Sequence, residues 1–175
     1  METIVHSLKR VDRLMLKVLK TITITSFAFL TLLISANVFV RFVPIVSLHW
    51  FDEIIELLYA YLIFYGAAAL WISGEHFGVG DWIEKRIGNP RMRHVYRLII
   101  ELLVLCFVVI FFYYSLRLTF LARDVTNVFA IPKRVLYSCL PASGLVMIIY
   151  SLRNVAVEII GIIELQTEEE EGARG

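Results

Sequence analysis

The stretch IIELLVLCFVVIFFYYSLRLTFL, residues 99–121, establishes the class of protein, because its 23 residues include only two charged side chains. A helix needs about 20 mostly apolar residues to cross the hydrocarbon core of a bilayer. Three further stretches of this kind are Ile22–Val40, Trp50–Ile72 and Val135–Ile163. Segments this long satisfy their backbone hydrogen bonds in lipid as helices rather than as barrel strands. The sequence therefore predicts an all-α membrane protein with four transmembrane spans, at about 22–41, 50–72, 99–121 and 135–160.

The composition of the 175-residue chain agrees with a membrane location, since 59% of its residues are hydrophobic and 19% are charged. Soluble domains are about 45–50% apolar and about 25% charged. A formal charge of +1 provides no large basic surface, so we expect no nucleic-acid partner. Cys106 and Cys139 form no C-x-x-C pair and lie in apolar runs, which predicts two buried thiols without a disulfide framework.

The distribution of Lys and Arg predicts the orientation of the chain in the membrane. Five basic residues precede the first span and five lie between the second and third; they are Lys9, Arg10, Arg13, Lys17, Lys20, Lys85, Arg86, Arg91, Arg93 and Arg97. The flanks on the other side carry four, namely Arg41, Arg123, Lys133 and Arg134. Because basic flanks stay inside, we expect cytoplasmic termini in a bacterial inner membrane. Residues 164–175 then form an acidic cytoplasmic tail.

Two segments outside the spans have amphipathic patterns. Residues 1–20 predict an interfacial helix whose apolar face meets the inner leaflet and whose cations meet anionic lipid. An ordinary juxtamembrane extension of the first span is the alternative. Glu75–Ile87 predicts a second interfacial helix, ended by the turn at Gly88-Asn89-Pro90. The lipid-surface candidates of the two segments are Lys9, Arg10, Arg13, Lys17, Lys20 and Trp82.

Charged residues at the ends of the spans are the candidates for structural ion pairs. Asp52 and Glu53 open the second span, where acidic groups suit a helix N-terminus, and Trp50 suits the membrane interface. Charges of opposite sign at one depth in lipid tend to pair. Such candidate pairs are Glu56 with Arg117, Glu53 with Arg41, and Glu101 with Arg97 one turn before it.

Small residues and proline predict local features of the spans. Gly66-Ala67-Ala68 and Ala142-Ser143-Gly144 allow close helix approach. Pro141 lies inside the last span, where its missing N–H predicts a kink. Pro132 suits the position just before that span begins.

Catalytic and cofactor signatures are absent from the sequence. All four histidines, His6, His49, His76 and His94, lie outside the predicted spans, so no axial ligand pair is available for haem. The sequence contains no H-E-x-x-H, G-x-S-x-G or P-loop motif. These observations predict a membrane scaffold or accessory subunit that is not an enzyme and has no cofactor or metal.

Several short motifs follow one another along most of the chain. They are N-V-F-V-R-F at Asn37–Phe42, W-F-D-E at Trp50–Glu53, Gly66-Ala67-Ala68, G-E-H-F-G-V at Gly74–Val79, and Ile131-Pro132. In this order and spacing the chain resembles the DctQ-type (SiaQ-like) small membrane subunit of tripartite ATP-independent periplasmic (TRAP) transporters. The resemblance implies a four-helix DctQ-like domain over residues 21–163.

The resemblance also implies a function and a set of partners. A periplasmic solute-binding protein captures an organic anion, of the C4-dicarboxylate or sialic acid class. A large DctM-type membrane subunit carries the substrate and sodium, and the small subunit braces its fixed scaffold. The partner-interface candidates are Arg41, Trp50, Asp52, Glu53, Glu56, Gly66 and His76.

The sequence is also compatible with two other classes of function. One is a self-contained homo-oligomeric transporter that couples ions through Glu56 or Glu101. The other is an anchor or assembly subunit of a different membrane complex.

Overall fold

The computed structural model describes residues 2–42, 50–74 and 86–174, with the side chains of 10–40, 42, 50–74 and 86–167. The helices are α1 (Glu2–Phe42), α2 (Trp50–Ser73), α3 (Pro90–Leu121), α4 (Lys133–Tyr137) and α5 (Cys139–Arg174). Four segments are long and apolar enough to cross a membrane; they lie in α1, α2, α3 and the consecutive helices α4 and α5. The predicted all-α fold with four spans is thereby confirmed.

The first helix is continuous over 41 residues, which is about 62 Å at 1.5 Å per residue. No break separates residues 2–20 from the first span in α1. This continuity is compatible with a juxtamembrane extension, and the interfacial position of residues 1–20 stays a prediction. The second predicted interfacial segment lies almost wholly outside the described residues, together with Trp82 and His76.

The helices pack in the order α1, α2, α5, α3, so that α2 and α5 are central and each flanking helix has one main neighbour. Small residues lie where the helices meet, as the sequence predicts. Ala68 and Ser143 are completely buried. A Cβ on Gly66 would meet Thr23 Cγ2 at 3.4 Å, and one on Gly144 would meet the Phe111 ring at the same distance.

The common core of the four spans is small. Leu19, Ala68, Val108 and Met147, one from each long helix, form its centre. Most other large apolar side chains point outward; Phe107 on α3, for example, is 67% exposed. The thiols divide in the same way, since Cys139 is buried as predicted whereas Cys106 is exposed, contrary to prediction. The reason is that an apolar residue in a span can face either a neighbouring helix or lipid.

The last span is interrupted at Ser138, between α4 and α5, as expected from Pro141. Proline has no N–H to donate to the carbonyl of Tyr137, four residues earlier. Thr119 Oγ1 of α3 lies 3.2 Å from that carbonyl oxygen. The Tyr61 hydroxyl oxygen of α2 lies 3.2 Å from Ser138 Oγ. Hydroxyl groups of two neighbouring helices therefore support the backbone at the break.

Candidate functional site: polar levels at the two ends of the bundle

The loop between α3 and α4, residues 122–132, has a defined backbone. Val125 and Pro132 form an antiparallel bridge, and Thr126 N–H donates to the carbonyl of Ile131 at 2.9 Å. Ala130 has a φ of 51°, in the left-handed region that non-glycine residues seldom occupy. A loop with these features presents its backbone N–H groups in a fixed arrangement.

Glu53 binds this loop through both carboxylate oxygens. Oε1 accepts from Val128 N–H at 2.7 Å, and Oε2 accepts from Phe129 N–H at 3.1 Å. Trp50, on the same turn of α2, lies edge-on to the Phe129 ring with centroids 6.2 Å apart. We call Glu53 and the backbone of Thr126–Phe129 the loop level.

Asp52 and Glu56, the other acidic residues of α2, make no comparable contact with the residues that the structure describes. Glu56 and Arg117 are both exposed, and no ion pair joins them in that part of the chain. The predicted Glu56–Arg117 pair is therefore not formed in the isolated chain. α2 and α3 meet through the stacked rings of Phe64 and Phe111, 5.9 Å apart, whereas Glu56 and Arg117 lie on exposed faces of their helices. The Arg41 side chain is outside the described residues, so its predicted pairing with Glu53 stays a prediction.

Near the opposite end of the bundle, α1 is fastened to α5. Asp12 Oδ1 accepts a hydrogen bond from the Tyr150 hydroxyl at 2.7 Å, and Asp12 Oδ2 lies 2.6 Å from Arg153 Nη1. The Asp12 side chain is 26% exposed. Asp12 therefore faces the bundle, although the amphipathic pattern of residues 4–19 placed it on the polar side of the helix.

Three more contacts join α3 to α5 at this end. His94 Nδ1 is hydrogen-bonded to Glu158 Oε2 at 2.7 Å, and Arg97 Nη1 lies 3.7 Å from Glu158 Oε1. Asn154 donates to Glu101 Oε1 at 3.2 Å. Arg97 and Glu101 each contact α5, and their predicted pairing with one another stays a prediction. His94, Arg97 and Glu101 lie along the face of α3 that meets α5.

Gly161 makes room for the His94 ring. A Cβ at position 161 would lie 3.0 Å from His94 Cε1 and 3.1 Å from Nδ1, which is closer than side-chain carbons normally approach. The glycine therefore permits the contact between His94 and Glu158. Together the Asp12, His94 and Glu101 contacts are called the terminal level.

The distance between the two levels matches a membrane. Trp71 Nε1 donates to Ser151 Oγ at 3.0 Å, beside Tyr150 and Arg153 of the terminal level. Trp71 is 18 residues after Glu53 on the continuous helix α2, a rise of about 27 Å. The hydrocarbon core of a bilayer is about 30 Å thick. The polar contacts therefore lie near its two boundaries.

Sequence reasoning missed most residues of the terminal level. Asp12, Asn154 and Glu158 carry no motif, and Gly161 stands in an ordinary apolar run. A signal was present for Asp12, since it shares a helical face with Leu16 and Leu19, which pack at the core. For Glu158 the partner depends on how α3 and α5 are rotated, and no sequence pattern specifies that rotation.

The chemistry available in these levels is structural. Within 10–40, 50–74 and 86–167, no three His, Cys, Asp or Glu side chains gather as metal ligands would. The carboxylates instead accept hydrogen bonds from the loop or from neighbouring helices. Such contacts fix the positions of helices and loop relative to one another.

The loop level gives a direct prediction. Glu53→Gln replaces one accepting oxygen by an NH₂ group, so one loop N–H loses its partner and the remaining bond loses its charge. Amide hydrogen exchange at Val128 and Phe129 should become at least about tenfold faster. Glu56→Gln, the same change one turn later at an exposed residue, is the control and should leave both rates unchanged. Equal rates in the two variants would contradict the role of Glu53.

Comparison with known proteins agrees with this architecture. No curated protein matches the chain. The family model described as the DctQ component of tripartite ATP-independent periplasmic transporters matches residues 30–160, about three quarters of the chain. The matched region contains α2, α3 and α4 entirely, the loop level, and the residues of α5 that make the terminal level. The chain therefore belongs to the DctQ family, the small membrane component of TRAP transporters.

Proposed function

We propose that this chain is the small permease subunit that braces a DctM-type large subunit in a bacterial inner membrane. The large subunit moves an organic anion with sodium, and a periplasmic binding protein delivers the anion, of the C4-dicarboxylate or sialic acid class. Membership of the DctQ family carries the proposal. A chain that moved the anion itself would need polar groups that face a central path. The carboxylates described above instead contact other parts of the chain; they belong to Asp12, Glu53, Glu101 and Glu158.

The uncovered apolar surface supports a bracing role. α1 and α3 flank the bundle, and each has one main neighbour. On α3, Leu103, Phe107 and Ile110 follow one another on one face and are 65%, 67% and 52% exposed. Such surface lies against lipid or against another membrane protein. The flanking helices thus offer apolar area to a partner, and α5 also carries exposed apolar residues such as Ile149 and Leu152.

The charge distribution supports the assignment of sides. The basic flanks favour cytoplasmic termini, which places the loop level at the periplasmic surface. There Trp50, Asp52, Glu56 and Arg41 are candidates for contact with the large subunit or the binding protein. Glu53 is occupied by its own loop and contributes indirectly, by holding Phe129 in place. Gly66 lies at the contact of α1 and α2, and His76 remains a candidate on the cytoplasmic side.

Copurification tests the proposal. Coexpressed with a DctM-type subunit encoded beside it, the tagged chain should retain that subunit through size exclusion in mild detergent. Proteoliposomes containing both subunits should take up the anion only when the binding protein and a sodium gradient are supplied.

Proteoliposomes of this chain alone, and of its Glu56→Gln variant, are the matched controls and should show no uptake. Uptake by the chain alone that disappears in Glu56→Gln would establish a self-contained transporter instead. Failure to copurify, with uptake intact after deletion of the chain, would reject a bracing role.

A further inference from the structure

A groove runs between α1 and α2 on the outside of the bundle. It encloses about 280 Å³ and is lined by Lys20, Thr23, Ile24, Gly66, Ala69 and Leu70. Ile24 is 66% exposed and Leu70 is 49% exposed, so the groove opens towards whatever surrounds the bundle. Gly66 leaves the bottom of the groove open, because a side chain at this position would extend towards Thr23.

The basic end of the groove continues into a row of cations on α1. Arg10, Arg13, Lys17 and Lys20 are spaced three, four and three residues apart on one continuous helix, which places them along one face. Ile24 follows Lys20 by four residues and lines the groove. Lys17 and Lys20 are exposed and form no ion pair within 10–40, 50–74 and 86–167.

The groove has a direction relative to the membrane. Leu70 at one end precedes Trp71, which binds Ser151 beside the terminal level. Gly66 and Thr23 at the other end lie about one turn closer to the loop level. Lys20 therefore lies at about the depth of Leu70, two residues before the first predicted span, and its long side chain can extend to the boundary of the hydrocarbon core. The apolar lining extends from it towards the loop level.

We propose that this groove binds one acyl chain of an anionic phospholipid and that Lys20 and Lys17 hold its phosphate. An amine at the hydrocarbon boundary above an apolar channel is complementary to a lipid with a charged headgroup. A helix of a partner protein is about 10 Å wide and would lie over the groove. It would cover the Lys20 amine with apolar surface, which is unfavourable without an opposite charge.

Native mass spectrometry of the full chain tests the site with phosphatidylglycerol and phosphatidylcholine as probes. The unaltered chain should retain phosphatidylglycerol in preference. Lys20→Gln should reduce that preference about fivefold, the equivalent of about 1 kcal/mol for a cation near an anionic headgroup. Lys133→Gln, the same change at the other end of the bundle, should have no effect. Equal retention of the two lipids, or an equal loss in both variants, would overturn the proposal.

A photo-crosslinking residue at Ile24 identifies the occupant directly. In membranes and in the complex with the large subunit, the expected product is a lipid adduct, which Lys20→Gln should diminish. An adduct with the large subunit instead would show that a partner helix covers the groove, and would overturn the lipid site without affecting the bracing role.

Discussion

Ser143→Leu is expected to push α5 away from the helices packed around it and to lower the free energy of unfolding by at least about 2 kcal/mol. Ser143 is completely buried, and the next residue, Gly144, lies against the rings of Phe111 and Phe112. A leucine has no space here unless the helices move apart. A movement of α5 would also disturb the Glu101–Asn154 contact, which joins it to α3. Denaturation in mixed micelles measures the change.

Ala142→Leu is the matched control for this substitution. It enlarges the adjacent residue, which is exposed on the outside of α5, and should change stability by less than about 0.5 kcal/mol. If both variants were equally stable, the helix packing around Ser143 would not be close. If both were equally unstable, the outer face of α5 would be covered in the protein as purified.

Arg153→Gln is expected to loosen the N-terminal half of α1 from the bundle and to cost about 1–2 kcal/mol. The guanidinium is half exposed, so solvent screens part of its attraction to Asp12. Charge-assisted hydrogen bonds contribute about 1.5–3 kcal/mol when less exposed. Asp12→Asn should have a similar effect, because Asp12 also accepts from Tyr150.

A double-mutant cycle distinguishes a direct contact from two unrelated losses. Arg153→Gln combined with Asp12→Asn should be little worse than the more damaging single change, with a coupling energy of about 1 kcal/mol. Arg117→Gln, at an exposed arginine on α3, is the control and should add to Asp12→Asn independently. Additive losses for Arg153 and Asp12 would show that the contact contributes nothing.

The sequence predicts the number and placement of the spans because each depends on a property of one segment. Length and hydropathy identify the four helices, and Pro141 predicts the break at Ser138 because one missing N–H acts on the backbone nearby. The small residues at 66–68, Ser143 and Gly144 lie at close contacts as predicted, whereas Ala142 of the second motif is exposed. The same approach leaves the N-terminus open, because an amphipathic pattern does not distinguish an interfacial helix from an extension packed on a neighbour.

The polar contacts were harder to predict because each joins residues far apart in the sequence. Glu53 was expected at a helix start or a partner interface, and only the loop backbone shows what it binds. Glu56 and Arg117 match in depth and charge, yet both side chains lie on exposed faces of their helices. In lipid the inward and outward faces of a helix are both apolar, so hydropathy does not reveal which partners meet.

The separation of the loop and terminal levels, about 27 Å along α2, also determines which bilayers suit this protein. Longer acyl chains would submerge the Glu53 carboxylate or the Asp12–Arg153 pair in hydrocarbon. The protein could relieve that hydrophobic mismatch by thinning the lipid around it, by snorkelling of flanking side chains or by oligomerising, each at a cost of fractions of a kcal/mol per ångström. Membrane thickness therefore determines whether the polar contacts at both ends of the bundle stay at the boundaries of the hydrocarbon core.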